Sequence, residues 1–280
     1  MKEPLVHAAA KVIKTLPRER ISQIAGTLAE KAWPGWLGRR IVAAYQRAYN
    51  VDLQDCSERE WSSFDAFFTR ELRAGARPIA FGDDLAVSPA DGRLDEFGSL
   101  TSDRTFCVKG RPYRVGELLG SETSAAAYDG GAACVVYLSP RDYHRVHAPV
   151  GGRVRLVRSI PGDFFPVNDM GIRHVPELFV RNRRVTIELE TELHGGAKTR
   201  VSVIMVVAMI VGRISVKSIG GSDVPIGEHF PSALVSKGDE IGTFHLGSTA
   251  VVVFDKHWAG RFQAPLGAIR LGDPLMRRGP

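Results

Sequence analysis

Cysteine is scarce in this 280-residue chain, and what there is does not pair. Cys56, Cys107 and Cys134 are an odd number without paired spacing, which argues against a disulfide framework or a metal knuckle and suits a reducing compartment. Long hydrophobic runs are also missing. The most apolar stretch, Val201 to Val211, is too short to cross a bilayer and rich in β-branched residues, so it reads as a buried strand. The first residues are charged and no cleavable apolar core follows, so no leader segment is expected. Acidic residues are thin at the amino terminus, where residues 1–50 hold Glu3, Glu19 and Glu30 against nine lysines and arginines. That leaves +6, the net charge of the whole chain, so residues 51–280 sum to zero. A basic arm on a neutral body calls for an acidic partner. Without a nucleic-acid-binding motif beside the charge, an anionic membrane surface is the better expectation.

What is present divides at one turn-rich stretch. Residues 4–16 place Leu5, Ala9, Val12, Ile13 and Leu16 on one helical face. Pro17 suits the first turn of a second helix, in which Ile21, Ile24, Ala25 and Leu28 repeat the pattern. Trp33-Pro34-Gly35-Trp36 breaks it, and a third helix aligns Leu37, Ile41, Tyr45, Ala48 and Tyr49. Ser57-Glu58-Arg59-Glu60 has the form of a capping box and predicts a fourth helix carrying Trp61, Phe64, Phe67 and Phe68. Basic amphipathic helices with tryptophans at a break suit a membrane interface, and they equally suit a cap packed on a larger domain. Ala74-Gly75-Ala76-Arg77-Pro78 ends the helical pattern. The expected organisation is a helical, membrane-associating region over residues 1–75 and a β-rich domain over residues 76–280.

From Pro78 onward, short apolar runs alternate with Gly, Pro, Asp and Asn. Strands are predicted over Ala133–Leu138, Gly152–Ile160, Arg184–Leu189, Thr199–Ala208, Ile214–Ile219 and Thr249–Phe254. Helical and strand patterns do not alternate, which argues against a doubly wound parallel sheet. The fold class is α+β, with amino-terminal amphipathic helices followed by a sandwich or hybrid barrel. The barrel alternative rests on turns at His147–Val154 and Lys237–Gly242 that look like those of lipoyl and biotinyl carriers, an analogy of fold alone.

Three stretches could carry chemistry. Gly247-Ser248 sits between two strand-like segments, where a hydroxyl lies one bond beyond an unshielded carbonyl. With strain and a base, Ser248 Oγ can attack the Gly247 carbonyl and turn the amide into an ester. β-Elimination then cuts the chain and leaves dehydroalanine, which tautomerises and hydrolyses to a pyruvoyl group. Chemistry alone favours the plainer alternative, a Gly-Ser turn. Pro89-Ala90-Asp91-Gly92 puts an acid at a tight turn. Tyr143-His144-Arg145-Val146-His147, between Pro140 and Pro149, holds two histidines without metal spacing, so no metal is expected. Asp91, His147 and Ser248 together offer an acid, a base and a nucleophile. A serine hydrolase using Ser248 would need the same set, but the Gly-x-Ser-x-Gly elbow is absent. A non-enzymatic carrier would need a lysine at a hairpin tip, whereas Lys217 is expected inside a strand.

The stretches Phe67-Phe68-Thr69-Arg70, Gly75-Ala76-Arg77-Pro78-Ile79, Pro89-Ala90-Asp91-Gly92, Tyr143-His144-Arg145-Val146-His147 and Leu246-Gly247-Ser248-Thr249 occur in this order. In that order they resemble the bacterial phosphatidylserine decarboxylase proenzymes. The resemblance implies a charge relay of Asp91 and His147 with Ser248, and self-cleavage between Gly247 and Ser248. It further implies a covalent pyruvoyl cofactor derived from Ser248, which serves as the electron sink. Phosphatidylserine would lose carbon dioxide to give phosphatidylethanolamine, with His144 as the general acid at the carbanion carbon and Tyr137 orienting it. The long and short pieces would stay associated, as a dimer of cleaved pairs, on the cytoplasmic face of the cytoplasmic membrane.

Deleting residues 1–50 should abolish binding to anionic vesicles in a flotation assay, and raising the salt should weaken binding of the full chain. Unchanged flotation of the shortened chain would remove the membrane role of this region.

Overall fold

The computed structural model describes residues 18–193, 196–208, 212–245, 248–258 and 260–279. The helix predicted over residues 4–16, and Gly247 of the Gly-Ser step, lie outside them. Helix α1 is described over Arg18–Glu30, and α2 (Gly35–Tyr49) begins directly after Pro34, where a proline's fixed φ and missing N–H cost least. Asn50 ends α2 in a left-handed conformation, φ 53°. The Trp33 indole donates to the Trp61 carbonyl at 2.7 Å, and a Cβ at position 38 would meet the Trp33 ring at 2.4 Å, so only glycine fits there. On α1, Ala29 turns inward while Ile24 and Leu28 are 61% and 60% exposed. Two members of the apolar stripe predicted for this helix, Ile24 and Leu28, therefore face outward.

The predicted fourth helix is corrected. Helix α3 runs Phe64–Phe68 and is capped by Ser63, whose Oγ accepts the Ala66 N–H at 3.1 Å. The Ser57 box is not used, because both its N–H and its hydroxyl go to the Glu71 carbonyl beside a bridge between Cys56 and Leu72. The Phe67 ring joins Trp61, Val42 and Leu53 in a small cluster, whereas Phe68 enters the main core.

The strands in chain order are β1 (Leu85–Val87), β2 (Gly92–Ser99), β3 (Thr105–Val108), β4 (Arg111–Arg114), β5 (Ala132–Leu138), β6 (Arg145–His147), β7 (Gly152–Ile160), β8 (Arg184–Glu192) and β9 (Lys198–Val207). They continue with β10 (Arg213–Val216), β11 (Gly227–His229), β12 (Ala233–Val235), β13 (Glu240–His245), β14 (Ser248–Phe254), β15 (Arg261–Phe262), β16 (Gly267–Ile269) and β17 (Pro274–Arg277). The largest sheet is antiparallel, in the order β11-β7-β8-β9-β14-β5-β2-β16, with β12 also on β7. Two smaller sheets, β10-β13-β6 and β1-β17-β15, supply Val146, Ile214, Phe244, Leu275 and Met276 to the same core as Ala250, Val252 and Phe254. The opposite face carries Val251 and Val253 and is covered by the β3–β4 hairpin and short helices α4 (Val115–Leu119), α5 (Glu122–Ala125), α6 (Asp169–His174) and α7 (Leu178–Arg181). The architecture is α+β with open sheets, and no closed barrel forms among the described residues.

Five of the six predicted strands start within one residue of the predicted position; four of these run to or past their predicted ends, and β9 stops one residue short, at Val207. The sixth stops early. Strand β10 ends at Val216, since the Ile219 and Gly220 N–H groups both turn back to the Val216 carbonyl. Lys217 thus lies in a turn and not inside a strand.

Phe254 is fully buried between Ala132 and Val201, so Phe254→Ala should lower the free energy of unfolding in urea by about 3–5 kcal/mol. The 66%-exposed Phe230 should tolerate alanine to within about 0.5 kcal/mol.

Candidate functional site

Strand β14 starts at Ser248, which pairs with Leu138 of β5 and Val207 of β9. The next row runs Arg93, Tyr137, Thr249, Val206 across four strands. Position 248 is thus fixed by backbone pairing on both sides. The Thr249 hydroxyl is buried and has no hydrogen-bond partner among the described residues.

Asp91 stands in the turn between β1 and β2. A Cβ at Gly92 would meet the Tyr137 carbonyl at 2.4 Å, so the Asp-Gly step lets β2 close against β5. The Asp91 carboxylate accepts Arg77 Nε at 3.0 Å on both oxygens, Arg77 Nη2 at 2.7 Å and the Leu271 N–H at 2.8 Å. Arg77 Nη1 continues to Asp55 at 2.8 Å. These carboxylates raise the guanidinium's pKa, the hydrogen bonds to Asp91 contributing most.

The His147 N–H donates to the Pro89 carbonyl at 2.8 Å, which ties β6 to the Asp91 turn. Its Nδ1 lies 2.8 Å from the Gly238 carbonyl and is therefore the protonated nitrogen. Nε2, left as the acceptor, takes the Tyr143 hydroxyl at 3.1 Å. Burial lowers the His147 pKa and keeps the ring neutral near pH 7. No hydrogen bond joins Asp91 to His147 among the described residues, because Gly238 holds Nδ1 and Arg77 holds the acid. Across β13, His147 pairs with Glu240, at the far end of that strand from the Gly-Ser step.

His144 belongs to the other end. Leu138, the register partner of Ser248, is followed by Ser139, whose N–H and hydroxyl both donate to Asp142 at 2.7 and 2.6 Å. The Asp142 carbonyl accepts from His144 Nδ1 at 2.8 Å. The His144 ring is fully buried 4.0 Å from the Phe68 centroid, with Nε2 unpartnered. Burial, and then the charge of Arg70, push its pKa down to about 3. Arg70 caps the same loop, donating to the Arg141 and Asp142 carbonyls at 2.9 and 3.0 Å. The Phe67–Arg70 motif is thereby explained, since its ring and guanidinium shape the His144 environment. Tyr137 cannot orient His144. It packs on the helix-covered face with Arg93 over its ring, whereas Phe68 and His144 lie in the opposite core.

A cavity of about 290 Å³ opens among Arg70, Arg77, Asp91, Arg141, Asp142 and Tyr143. Sequence reasoning did not assign roles to Arg70, Arg77, Asp142 or Tyr143. The one available signal was that an acid at a tight turn needs a counter-ion, and Arg77 stands in a quoted motif.

Comparison with known proteins agrees along the chain. The family described as phosphatidylserine decarboxylase matches residues 64–275. The phosphatidylserine decarboxylase proenzyme of Azotobacter vinelandii is 38% identical over 276 residues, covering 93% of this chain and 94% of that protein. Those of an Anaeromyxobacter species and of Pseudomonas aeruginosa are 36% and 37% identical, covering 94% and 93% of this chain and 95% and 93% of their own lengths.

The buried imidazole sets a pH dependence. His144 is neutral in the folded chain down to about pH 3 but takes a proton near pH 6.5 once unfolded, so the unfolded state binds more protons in that window. Stability should fall as the pH drops below about 6.5, by up to about 1.4 kcal/mol per pH unit from this residue alone. Urea midpoints measured from neutral to mildly acidic pH should show a shallower slope for His144→Asn than for the natural chain.

Proposed function

Because the chain belongs to the phosphatidylserine decarboxylase family, we propose that it decarboxylates phosphatidylserine with a pyruvoyl group that it makes from its own Ser248. The observation that carries this reading is Ser248 as the first residue of a strand paired on both sides, directly after Gly247 in the sequence, in a chain similar along its length to proteins named proenzymes.

In self-cleavage, Ser248 Oγ forms the ester with the Gly247 carbonyl carbon as the C–N bond breaks. The resemblance assigns its proton to His147, whose neutral Nε2 has a lone pair once Tyr143 releases it and which returns the proton to the freed Ser248 nitrogen. Because His147 pairs with Glu240 at the far end of β13, the transfer requires β6 and β13 to move toward position 248. Asp91 acts on that ring through space: its charge favours the protonated imidazole. Elimination leaves the carboxylate on Gly247 and dehydroalanine at position 248, whose imine tautomer takes up water and releases ammonia to give the pyruvoyl group.

The pyruvoyl group supplies the electron sink for loss of carbon dioxide. One buried polar atom without a partner among the described residues, His144 Nε2, lies on the face toward which position 248 alternates and suits a polar group built there. His144 is committed to the Asp142 carbonyl through Nδ1, so Nε2 is the atom that takes up and returns a proton. Without substrate, burial keeps that atom bare. An entering anionic headgroup raises its proton affinity, which makes it the acid when the carbanion carbon needs a proton.

Outward-facing Ile24, Leu28 and Trp36, with Arg40 over the Trp36 ring at 5.7 Å, support peripheral contact with an anionic membrane. No helix among the described residues is long and apolar enough to cross one.

Intact mass under denaturing conditions tests the reading. Two fragments divided between Gly247 and Ser248 are expected, the smaller blocked to Edman sequencing and carrying a pyruvoyl mass, with Ser248→Ala remaining one chain. A single full-length chain in folded, natural-sequence protein would remove the electron sink and the reading with it.

A further inference from the structure

One titratable cluster takes no part in the chemistry above. His245 is the last residue of β13, three positions before Ser248. Its Nδ1 lies 2.9 and 3.0 Å from the two carboxylate oxygens of Asp65, and its Nε2 lies 3.1 Å from Ser215 Oγ. A carboxylate only accepts, so Nδ1 carries the proton and the ring is held at both nitrogens. The His245 and Asp65 side chains are 13% and 16% exposed. Asp65 comes from the first turn of α3, in the helical region, and Ser215 from β10, which pairs with β13.

A second carboxylate of the helical region meets the same strands. Glu30, at the end of α1, pairs with Arg213, which stands opposite His245 in the β10–β13 register and lies 3.8 Å from Asp65. On the neighbouring strand, Arg145 reaches the Thr69 carbonyl and Glu71, both at 2.9 Å. The helical region is therefore fastened, group by group, to the strand that leads into the Gly-Ser step. With consecutive Cα atoms 3.8 Å apart, Ser248 Cα is at most about 11 Å from that of His245. With only two residues between them in the sequence, a displaced His245 moves the point from which the scissile bond is tethered.

We propose that Asp65 and Ser215 clamp His245 as a positioning residue for self-cleavage, so that scission requires the helical region to be docked on β10 and β13. The inference rests on cleavage between Gly247 and Ser248 as read above. The order carboxylate, imidazole, hydroxyl is also that of a serine-nucleophile triad. Here the hydroxyl stands in mid-strand between the buried Ile214 and Val216, and the ring serves as an anchor. Once the peptide bond is cut, β13 no longer leads into position 248. The clamp then has no hold on the reacting residue.

The test follows cell-free synthesis of the full chain by denaturing intact mass, with the cleaved protein then assayed on phosphatidylserine in detergent micelles. His245→Ala and Asp65→Asn should slow cleavage roughly tenfold to a hundredfold, the range for displaced reacting groups. Turnover per mole of cleaved chain should stay within about twofold. His245→Asn, which keeps a donor near Nδ1, should cut faster than His245→Gln, which places its amide near Nε2; this pair carries the comparison if the first two variants fail to fold. Variants that cut at the natural rate, or that lose turnover per cleaved chain in proportion, would overturn the clamp. So would equal rates for the Asn and Gln variants, or labelling of Ser215 by a fluorophosphonate. A natural chain that stays whole would overturn the self-cleavage reading, and the clamp along with it.

Discussion

The backbone pairing of β14 is the constraint on which the rest depends. Every residue from Ser248 to Phe254 has a partner on β5 and another on β9. Ala250, Val252 and Phe254 enter one core while Val251 and Val253 enter the other, so the strand is buried on both faces as well as along both edges. A strand so placed has no freedom to slip, because a one-residue shift would exchange the two faces. Ser248, the residue proposed to react, shares that backbone constraint as the first residue of the strand, and a site built on rigid elements holds its geometry better than one on a mobile loop.

The helical region completes this arrangement instead of merely decorating it. Phe68 stacks on His144, Arg70 caps the loop that holds that ring, and Asp65 grips His245. Arg77, just past the turn that ends the helical pattern, carries the Asp91 carboxylate. Burial of two histidines among these groups keeps both rings uncharged near neutral pH and gives each one free or exchangeable Nε2.

Much of the fold was legible because buried strands write themselves as β-branched runs and the long helices as repeating apolar stripes. Elements α4 to α7 were not foreseen. At four to six residues they are too short to show a helical period. The Ser57 box misled because a bridge to Leu72, distant in sequence, took its polar groups, and Lys217 fell outside its strand because a turn formed on Val216. At the site, residue chemistry and the family resemblance singled out Asp91, His144, His147 and Ser248. Their partners stayed hidden: Arg77 with Asp91, Gly238 with His147 and Asp65 with His245 are pairings that only the folded chain makes. Tyr137 was misjudged because alternation along β5 sends it to the opposite face from Leu138.

The residues beyond the Gly-Ser step hold β14, β15, β16 and β17, which pair into two sheets: β14 with β5 and β9, β16 with β2, and β17 with both β1 and β15. While the chain is whole, folding these strands into place is unimolecular, and the connecting loop supplies a high effective concentration. After the proposed scission the same assembly would be bimolecular, and its central strand would have to re-enter the slot between β5 and β9. Topology thus imposes an order in time, folding before cutting. A molecule cut as proposed would be held by the barrier to unfolding rather than by any ready route back, so each copy could be assembled only once.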